Sequence, residues 1–440
     1  MYIDSIQLDN IRCFERAKDN VLEFAHPMRD FNTKNDDTPN DNAWAPEPRL
    51  KNVSLLLGEN GSGKSTVLQA LAAVSMRDDA SLFLHNHDFI RSGNSEGVIT
   101  IDLANIGDQI DKNKLRPAAH TLEVYKNGNN LNFNFNSSDS QNTSAPLNRN
   151  PVVIGGYDVS NYPGISVNEL IQLARIPRLL INRYPWGQYS PYYSAYKKYE
   201  PLESLFTRIF SPDYSALGIE QTGWLNQLQT GNPMRLKEVL QLLQKLLRPF
   251  KLELNDQTAN EDLTVDDIRN LAKSPYKSPH SHLSHIHFFF DLLSHLCDSC
   301  PDKKTITDHA GVVLVDQIEF NLHPRLHMDL IKTLAETFPA IQFIITTKSP
   351  LVVGSLEWMN IINLELVPEE NRTRVNRIKE SVYGLDVEQV LHSPYFGMRS
   401  TVVKEKEDAL NEIRERIRQG DHDAPLDLIR ELGSGMEDQG

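Results

Sequence analysis

The chain has 440 residues, 40% hydrophobic and 24% charged, which suits a globular protein of one large domain with insertions, or of two. A formal net charge of −14 argues against a surface that grips nucleic acid throughout, although local basic patches leave such contact open. No apolar run is long enough for a membrane span, no basic and apolar leader opens the chain, and three cysteines cannot form a disulfide framework, which points to a reducing cytoplasm.

The first predicted strand runs from Tyr2 to Ile11, with apolar side chains alternating at Ile6 and Leu8. Residues 26–48 are polar and rich in Asp, Asn and Pro, as expected of a loop between two early strands. A second strand, Val53 to Leu57, leads into Gly58-Glu59-Asn60-Gly61-Ser62-Gly63-Lys64-Ser65, and a helix is predicted from Thr66 to about Met76. This is the G-x-x-x-x-G-K-[ST] pattern of a phosphate-binding loop. Gly58, Gly61 and Gly63 let the backbone turn tightly, so that successive N–H groups from Gly58 through Asn60 and Ser62 to Thr66 face an anion. The helix adds its positive N-terminal end. Lys64 is expected at the β- and γ-phosphates of ATP or GTP, and the Ser65 hydroxyl on Mg²⁺.

From about Leu82 to Pro151 the pattern is β-like. Val98 to Leu103 reads as a strand, and Thr121 to Tyr125 and Leu131 to Phe135 as a hairpin turning at Asn127-Gly128-Asn129. An antiparallel sheet inserted into the nucleotide domain is expected. Tyr184 to Tyr199 is dense in aromatics, which suits core packing, a partner surface or base stacking. Residues 201–300 are helical in pattern, with Trp224, Leu225, Leu228, Leu236, Val239, Leu240, Leu243, Leu246 and Leu247 at three- and four-residue spacing. His280, His282, His285 and His287 have no carboxylate or cysteine pattern to complete a metal site, and read as a polar helix start. Cys297 and Cys300 form a lone C-x-x-C and read as partly buried helix thiols rather than zinc ligands.

An α/β pattern returns after Gly311. Val312 to Val315 is a continuous apolar run, as expected of a strand buried on both faces. A helix follows from Pro324 to about Glu336, then a strand from Ile341 to Thr347. Beyond Leu391 the chain is polar, with a charged helix at Lys404 to Arg418 supported by Lys404/Asp408 and Glu412/Arg416, and a disordered tail from Gly433.

A phosphate loop needs a second acid for Mg²⁺ at the end of a neighbouring strand, and Asp316 fits. In many ATPases the next residue is a Glu that takes the attacking water's proton. Here it is Gln317, whose amide can hold a water but has no useful basicity. Glu319 is a candidate base two residues on, with structural hydrogen bonding as its alternative.

Asp316-Gln317-Ile318-Glu319-Phe320-Asn321-Leu322-His323-Pro324 resembles the D-E-x-E-x-x-L-H-P Walker B and D-loop segment of ABC-type ATPases of the RecF/SMC/OLD group. Thr346-Thr347-Lys348-Ser349-Pro350 resembles that group's T-T-H-S-P switch, and Ile6 to Phe14 its first strand and loop, which brings Arg12 to the cofactor site. Tyr383 to Val387, with Phe396-Gly397 and Arg399, is similar to the close of such domains in prokaryotic defence systems. The matches cover both ends of the core, and only weakly its middle. The resemblance implies an α/β fold: a P-loop NTPase, ABC-type head with a mixed sheet, an inserted antiparallel β-subdomain and a helical subdomain. The expected domains are an N-terminal ATPase lobe at 1–81, the β-subdomain at 82–155, a helical signature subdomain at 156–300, a C-terminal ATPase lobe at 301–400 and a charged tail at 401–440.

The departures matter as much. The family's catalytic Glu is Gln317 and its switch His is Lys348, which can meet the γ-phosphate as a point charge. Its L-S-x-G-[EQ] signature, which acts on the nucleotide of the opposite subunit, is reduced to Leu283-Ser284-His285-Ile286, leaving Ser284 as the group that would reach across. Gln317 is either a Glu-to-Gln substitution made to trap ATP or the natural residue, and both predict tight ATP binding with slow hydrolysis. The resemblance implies ATP and Mg²⁺ as cofactors, an ATP-dependent homodimer or larger homo-oligomer, no membrane, and a separate effector such as a nuclease or toxin. It extends to ATPase components of antiphage systems, Septu, retron-linked modules and PARIS among them. Only about forty residues follow Arg399, so a nuclease is expected on another chain. Two alternatives stand beside this: a DNA-repair or chromosome-maintenance ATPase, disfavoured by the acidic charge and absence of heptads, and a non-hydrolysing ATP-stabilised scaffold.

Overall fold

The computed structural model describes residues 2–17, 20–29, 48–76, 89–104, 118–127, 130–137, 152–158, 185–186, 224–250, 263–265, 267, 289, 292–293, 296–297, 300, 304–319, 322–401 and 404–433. The chain divides into two units, Met1–Gly384 and Leu385–Gly440.

The larger unit is built on two sheets. The first has five antiparallel strands in the order β2-β1-β4-β5-β6, made of β1 (Tyr2–Asp9), β2 (Val21–Glu23), β4 (Glu96–Ala104), β5 (Ala118–Asn127) and β6 (Asn130–Ser137). The second has seven strands in the order β12-β11-β3-β10-β9-β7-β8, made of β3 (Val53–Leu57), β7 (Val152–Asp158), β8 (Pro185–Trp186), β9 (Gly311–Asp316), β10 (Ile341–Thr346), β11 (Ile361–Val367) and β12 (Arg372–Asn376). Its five inner strands are parallel, and both edges are antiparallel. The strands of residues 82–155 are thus shared out: β4 to β6 extend the sheet begun by β1, and β7 joins β9.

Helix α1 (Lys64–Met76) lies between the two sheets and explains their sequences. Leu56, Val312, Leu314, Ile344, Ile362 and Leu364 meet it from the seven-stranded sheet, and Ile6, Leu8, Ile99, Ile101 and Leu122 from the five-stranded one, all in one apolar core. A helix covered on two sides is apolar on most of its surface; Val67, Leu68, Ala70, Leu71, Ala73 and Val74 are all buried. The intervening residues of the parallel strands, such as Leu55, Val313, Val315, Phe343 and Ile345, are buried too. They point to the opposite face of the sheet, because side chains alternate along a strand. Burial on both faces is why these strands read as continuous apolar runs. Two helices, α2 (Trp224–Gly231) and α3 (Pro233–Leu247), carry the predicted leucine stripe, and α3 packs against α4 (Pro324–Thr337).

The smaller unit holds α5 (Val387–His392), α6 (Lys404–Arg418) and α7 (Ala424–Gly433). Asp386 and Gln389 close a reciprocal capping box on α5. Arg416 forms ion pairs with Asp421 at 2.8 Å and Asp427 at 3.1 Å, which tie the α6–α7 turn rather than extending along α6 to Glu412.

Candidate functional site

Three neighbouring parallel strands end at one place. The phosphate-loop pattern follows β3, Asp316 closes β9, and Thr346 closes β10, which lies between them. The carboxyl end of a parallel sheet is where such folds open a crevice. Here it is a pocket of about 440 Å³ lined by Arg12, Cys13, Asn60, Gly61, Gly63, Lys64, Ser65, Thr66, Asp316, Gln317 and Lys348.

The loop is held open by local rules. Gly58 and Gly63 have φ of +152° and +96°, and each is pressed by neighbours. A Cβ on Gly58 would sit 2.3 Å from the Leu364 carbonyl oxygen, and one on Gly63 2.6 Å from both Cys13 Sγ and Phe14 Cε2. Only glycine fits this cradle. From behind, the Thr373 hydroxyl donates to the Ser62 carbonyl at 3.1 Å, and the Ser62 side chain is buried, away from the pocket lining. Helix α1 begins at Lys64, two residues before its predicted start, so the lysine and Ser65 stand in its first turn.

Lys64 is 7% exposed, and its ammonium donates to the carbonyls of Gly58 and Glu59, both at 2.7 Å. Burial lowers its pKa, and the positive charge of Lys348 lowers it further, while the carboxylates of Asp316, Glu319 and Glu59 oppose the shift. The Ser65 hydroxyl donates to Asp316 Oδ2 at 2.6 Å. The other oxygen of Asp316 accepts from the Thr346 hydroxyl, whose own oxygen accepts the Gln317 N–H at 2.8 Å. Gln317 is held at φ +52°, a left-handed conformation uncommon outside glycine, and is one of the residues that line the pocket. Glu319 Oε1 accepts the backbone N–H of Lys348 at 2.7 Å, and Oε2 is buried with no partner among the described residues. Glu319 is therefore a brace for the switch segment and is absent from the pocket lining.

Arg12 stands at φ +45°, with its backbone N–H on the Phe89 carbonyl at 2.9 Å. Its guanidinium lies 5.1 Å from the Phe89 ring centroid and donates to Thr66 Oγ1 at 3.2 Å and Gln69 Oε1 at 3.0 Å. One cationic side chain thus tethers the first loop to α1 at the pocket rim. Ser284 and the four histidines from 280 to 287 lie outside the described residues, as does most of the 184–199 aromatic stretch. Among the described residues, no three His, Cys, Asp or Glu side chains group to hold a metal, and no disulfide joins the three cysteines.

Several residues that shape this site carry no role of their own in the sequence patterns, although Thr346 and Cys13 lie inside the matched segments. Thr346 joins Asp316 to Gln317. Thr373 backs the loop from β12. Cys13 packs on Gly63, and burial is the main cause of its raised thiol pKa. A hydroxyl residue at the end of the strand next to Asp316 was the available signal for Thr346; the pairings of Thr373 and Cys13 depend on strand order and had none.

The arrangement suits a magnesium nucleoside triphosphate. The glycine cradle leaves room for oxyanions against backbone N–H groups, two lysines line the same space, and a serine hydroxyl and a carboxylate converge as hard oxygen ligands. The chain is similar to several known proteins. The Septu protein PtuA of Bacillus mycoides (strain KBAB4) is 23% identical over 351 residues, 79% of this chain and 41% of that protein. The retron Ec83 probable ATPase of Escherichia coli is 25% identical over 372 residues, 71% of this chain and 66% of that protein. The chain therefore spans about two fifths of the first relative's length and about two thirds of the second's. Among solved structures, an SMC head bound to the C-terminal winged-helix domain of ScpA aligns over 86% of this chain and 98% of its own, with 13% identity and a TM-score of 0.43. The AAA domain family AAA_23 matches residues 5–273, more than half of the chain, and the protein belongs to that family.

Proposed function

We propose that this chain binds Mg-ATP in the pocket between the phosphate loop and Asp316, self-assembles in that state, and so controls a separate effector, a nuclease or toxin, in antiphage defence. The observation that carries the reading is the convergence of Lys64, Ser65, Asp316, Gln317 and Lys348 on one pocket at the carboxyl ends of β3, β9 and β10. Mg-ATP, when bound, supplies the triphosphate whose terminal anhydride bond is the target of hydrolysis. Lys64 would hold the phosphates, exchanging its bonds to the Gly58 and Glu59 carbonyls for phosphate oxygens. Ser65 and Asp316, already in contact, would hold the metal. Lys348 would add a second positive charge without the ability to shuttle protons that a histidine has at neutral pH.

Gln317 sets the pace. Its amide can orient a water through hydrogen bonds, but it takes no proton from it, and loss of a general base typically costs on the order of 10²–10⁴ in rate. The expected behaviour is tight ATP binding with slow turnover, a clamp or switch rather than a motor. Self-assembly and effector control rest on the likeness to the Septu and retron proteins. The test is ATP turnover by the wild type beside Gln317→Glu, with particle mass followed with and without Mg-ATP. Growth in mass on ATP supports the assembly reading, and unchanged mass at saturating ATP removes it. Gln317 and Lys348 also suit a non-hydrolysing, ATP-stabilised scaffold, which a turnover-dead Gln317→Glu protein that still assembles would favour.

A further inference from the structure

We infer that His327 is a positioning residue that ties the switch segment after β10 to the loop entering α4, so that changes at the phosphate end of the pocket reach the start of that helix. The inference rests on the Mg-ATP reading of the pocket.

His327 lies in the first turns of α4 and is 9% exposed. Its Nε2 is 3.0 Å from the Leu322 carbonyl oxygen and its Nδ1 is 2.8 Å from Ser349 Oγ. A carbonyl only accepts, so Nε2 carries the proton and donates. In a neutral ring Nδ1 is then the acceptor, and the Ser349 hydroxyl donates to it. The contacts fix the tautomer, and the ring becomes a strut with a different chemical fitting at each end. Leu322, Ser349 and His327 are all buried, so water does not compete well for these bonds.

The strut completes a graded set of ties between two segments. Thr346 reaches Asp316 and Gln317, the Lys348 N–H reaches Glu319, and Ser349 reaches Leu322 through His327. Thr347 Oγ1 accepts the Ser349 N–H at 3.0 Å and stiffens the switch between its last two anchors. The first ties act at or beside the pocket lining. The His327 tie is set back from it, since neither His327, Ser349 nor Leu322 lines the pocket. Cutting it leaves the phosphate-facing groups in place and uncouples the loop before α4. That separation distinguishes a relay from general packing.

The two ends can be cut singly. Gln in place of His327 keeps a donor near the Nε2 position and loses the acceptor, Asn keeps an acceptor near Nδ1 and loses the donor, and Ser349→Ala removes the hydroxyl alone. Backbone hydrogen exchange of the full chain, with and without Mg-ATP, reads three segments: 58–66, 346–350 and 322–327. In the wild type ATP is expected to slow exchange in all three. In His327→Gln, His327→Asn and Ser349→Ala the first two keep their slowing and ATP affinity stays within about threefold, while slowing at 322–327 falls by about tenfold, the scale of one net hydrogen bond. Slowing at 322–327 that survives in all three variants overturns the relay. So does its loss together with the 346–350 response, which would make His327 packing support for the switch. A His327 variant that does not fold leaves Ser349→Ala to decide by the same readout. Wild-type protein with no slowing at 58–66 overturns the Mg-ATP reading, and the relay with it.

Discussion

Alanine at Gly63 should disable the phosphate loop far more than alanine at Gly61, although both glycines sit in one short run. Gly63 is at φ +96°, and an added Cβ would be 2.6 Å from Cys13 Sγ and 2.6 Å from Phe14 Cε2. Phe14 is fully buried, so its ring has nowhere to retreat. A side chain in left-handed backbone costs about 1–2 kcal/mol, and overpacking against buried neighbours adds about 1–3 kcal/mol. Gly61 is at φ +84° with nothing within 4 Å of its Cβ position, so it bears only the first cost. The difference of about 1–3 kcal/mol corresponds to roughly 5- to 150-fold in an equilibrium constant. Titration of a fluorescent ATP analogue in Mg²⁺, with thermal unfolding in parallel, reads it directly. Gly63→Ala should bind at least about fivefold more weakly than Gly61→Ala, and adding Cys13→Ala should recover part of the loss, Phe14 remaining in place. Equal affinities and equal unfolding temperatures for the two alanines would refute the crowded cradle.

Two further outcomes follow from the pocket's polar contacts. Lys64 has a lowered pKa, chiefly from burial, and a bound polyanion raises it again, so nucleotide binding should take up protons in alkaline buffer and weaken as pH rises through that window; calorimetry in buffers of different ionisation enthalpy measures the uptake, and proton release would contradict it. In the apo protein the unfolded chain holds the Lys64 proton more firmly, so this group's contribution makes stability rise with pH between the lowered native pKa and the ordinary lysine value. Thr346→Val, nearly isosteric, strips Asp316 of one donor and the Gln317 N–H of its acceptor. A hydrogen bond to a charged group is worth about 1.5–3 kcal/mol, so the Mg²⁺ concentration for half-maximal nucleotide binding should rise by about tenfold or more; an unchanged Mg²⁺ requirement would show that Thr346 does not orient Asp316.

Much of this was legible in the residues because the signals are local. A glycine pattern between a strand and a helix specifies a phosphate loop at Gly58 to Ser65, and an apolar run closed by an acid specifies β9 and Asp316. What stayed hidden depends on strand order. No periodicity says that β10 lies between β3 and β9, yet that placement puts Lys348 in the pocket lining and Thr346 behind it on Asp316. The partition of residues 82–155 between two sheets is likewise a matter of pairing. Val98 to Leu103 alternates in the same way whether it starts a separate sheet or extends the one begun by β1. His327 shows the limit most clearly. At the sequence level it is one polar residue among the leucines of α4; Leu322 is a local partner five residues back, but Ser349, 22 residues on, is brought to it only by tertiary packing. The predicted pair of Arg416 with Glu412 met another competitor, since Asp421 and Asp427 come round the α6–α7 turn to the same guanidinium.

The slow-clamp reading turns on Gln317, and steady-state ATP hydrolysis at saturating Mg-ATP by the wild type and by Gln317→Glu measures it most directly. The expected result is little or no turnover by the wild type and a gain on the order of 10²–10⁴ in the variant, with nucleotide affinity little changed. Equal, robust hydrolysis by both proteins would contradict the claim that a missing base holds this chain in its ATP-bound state.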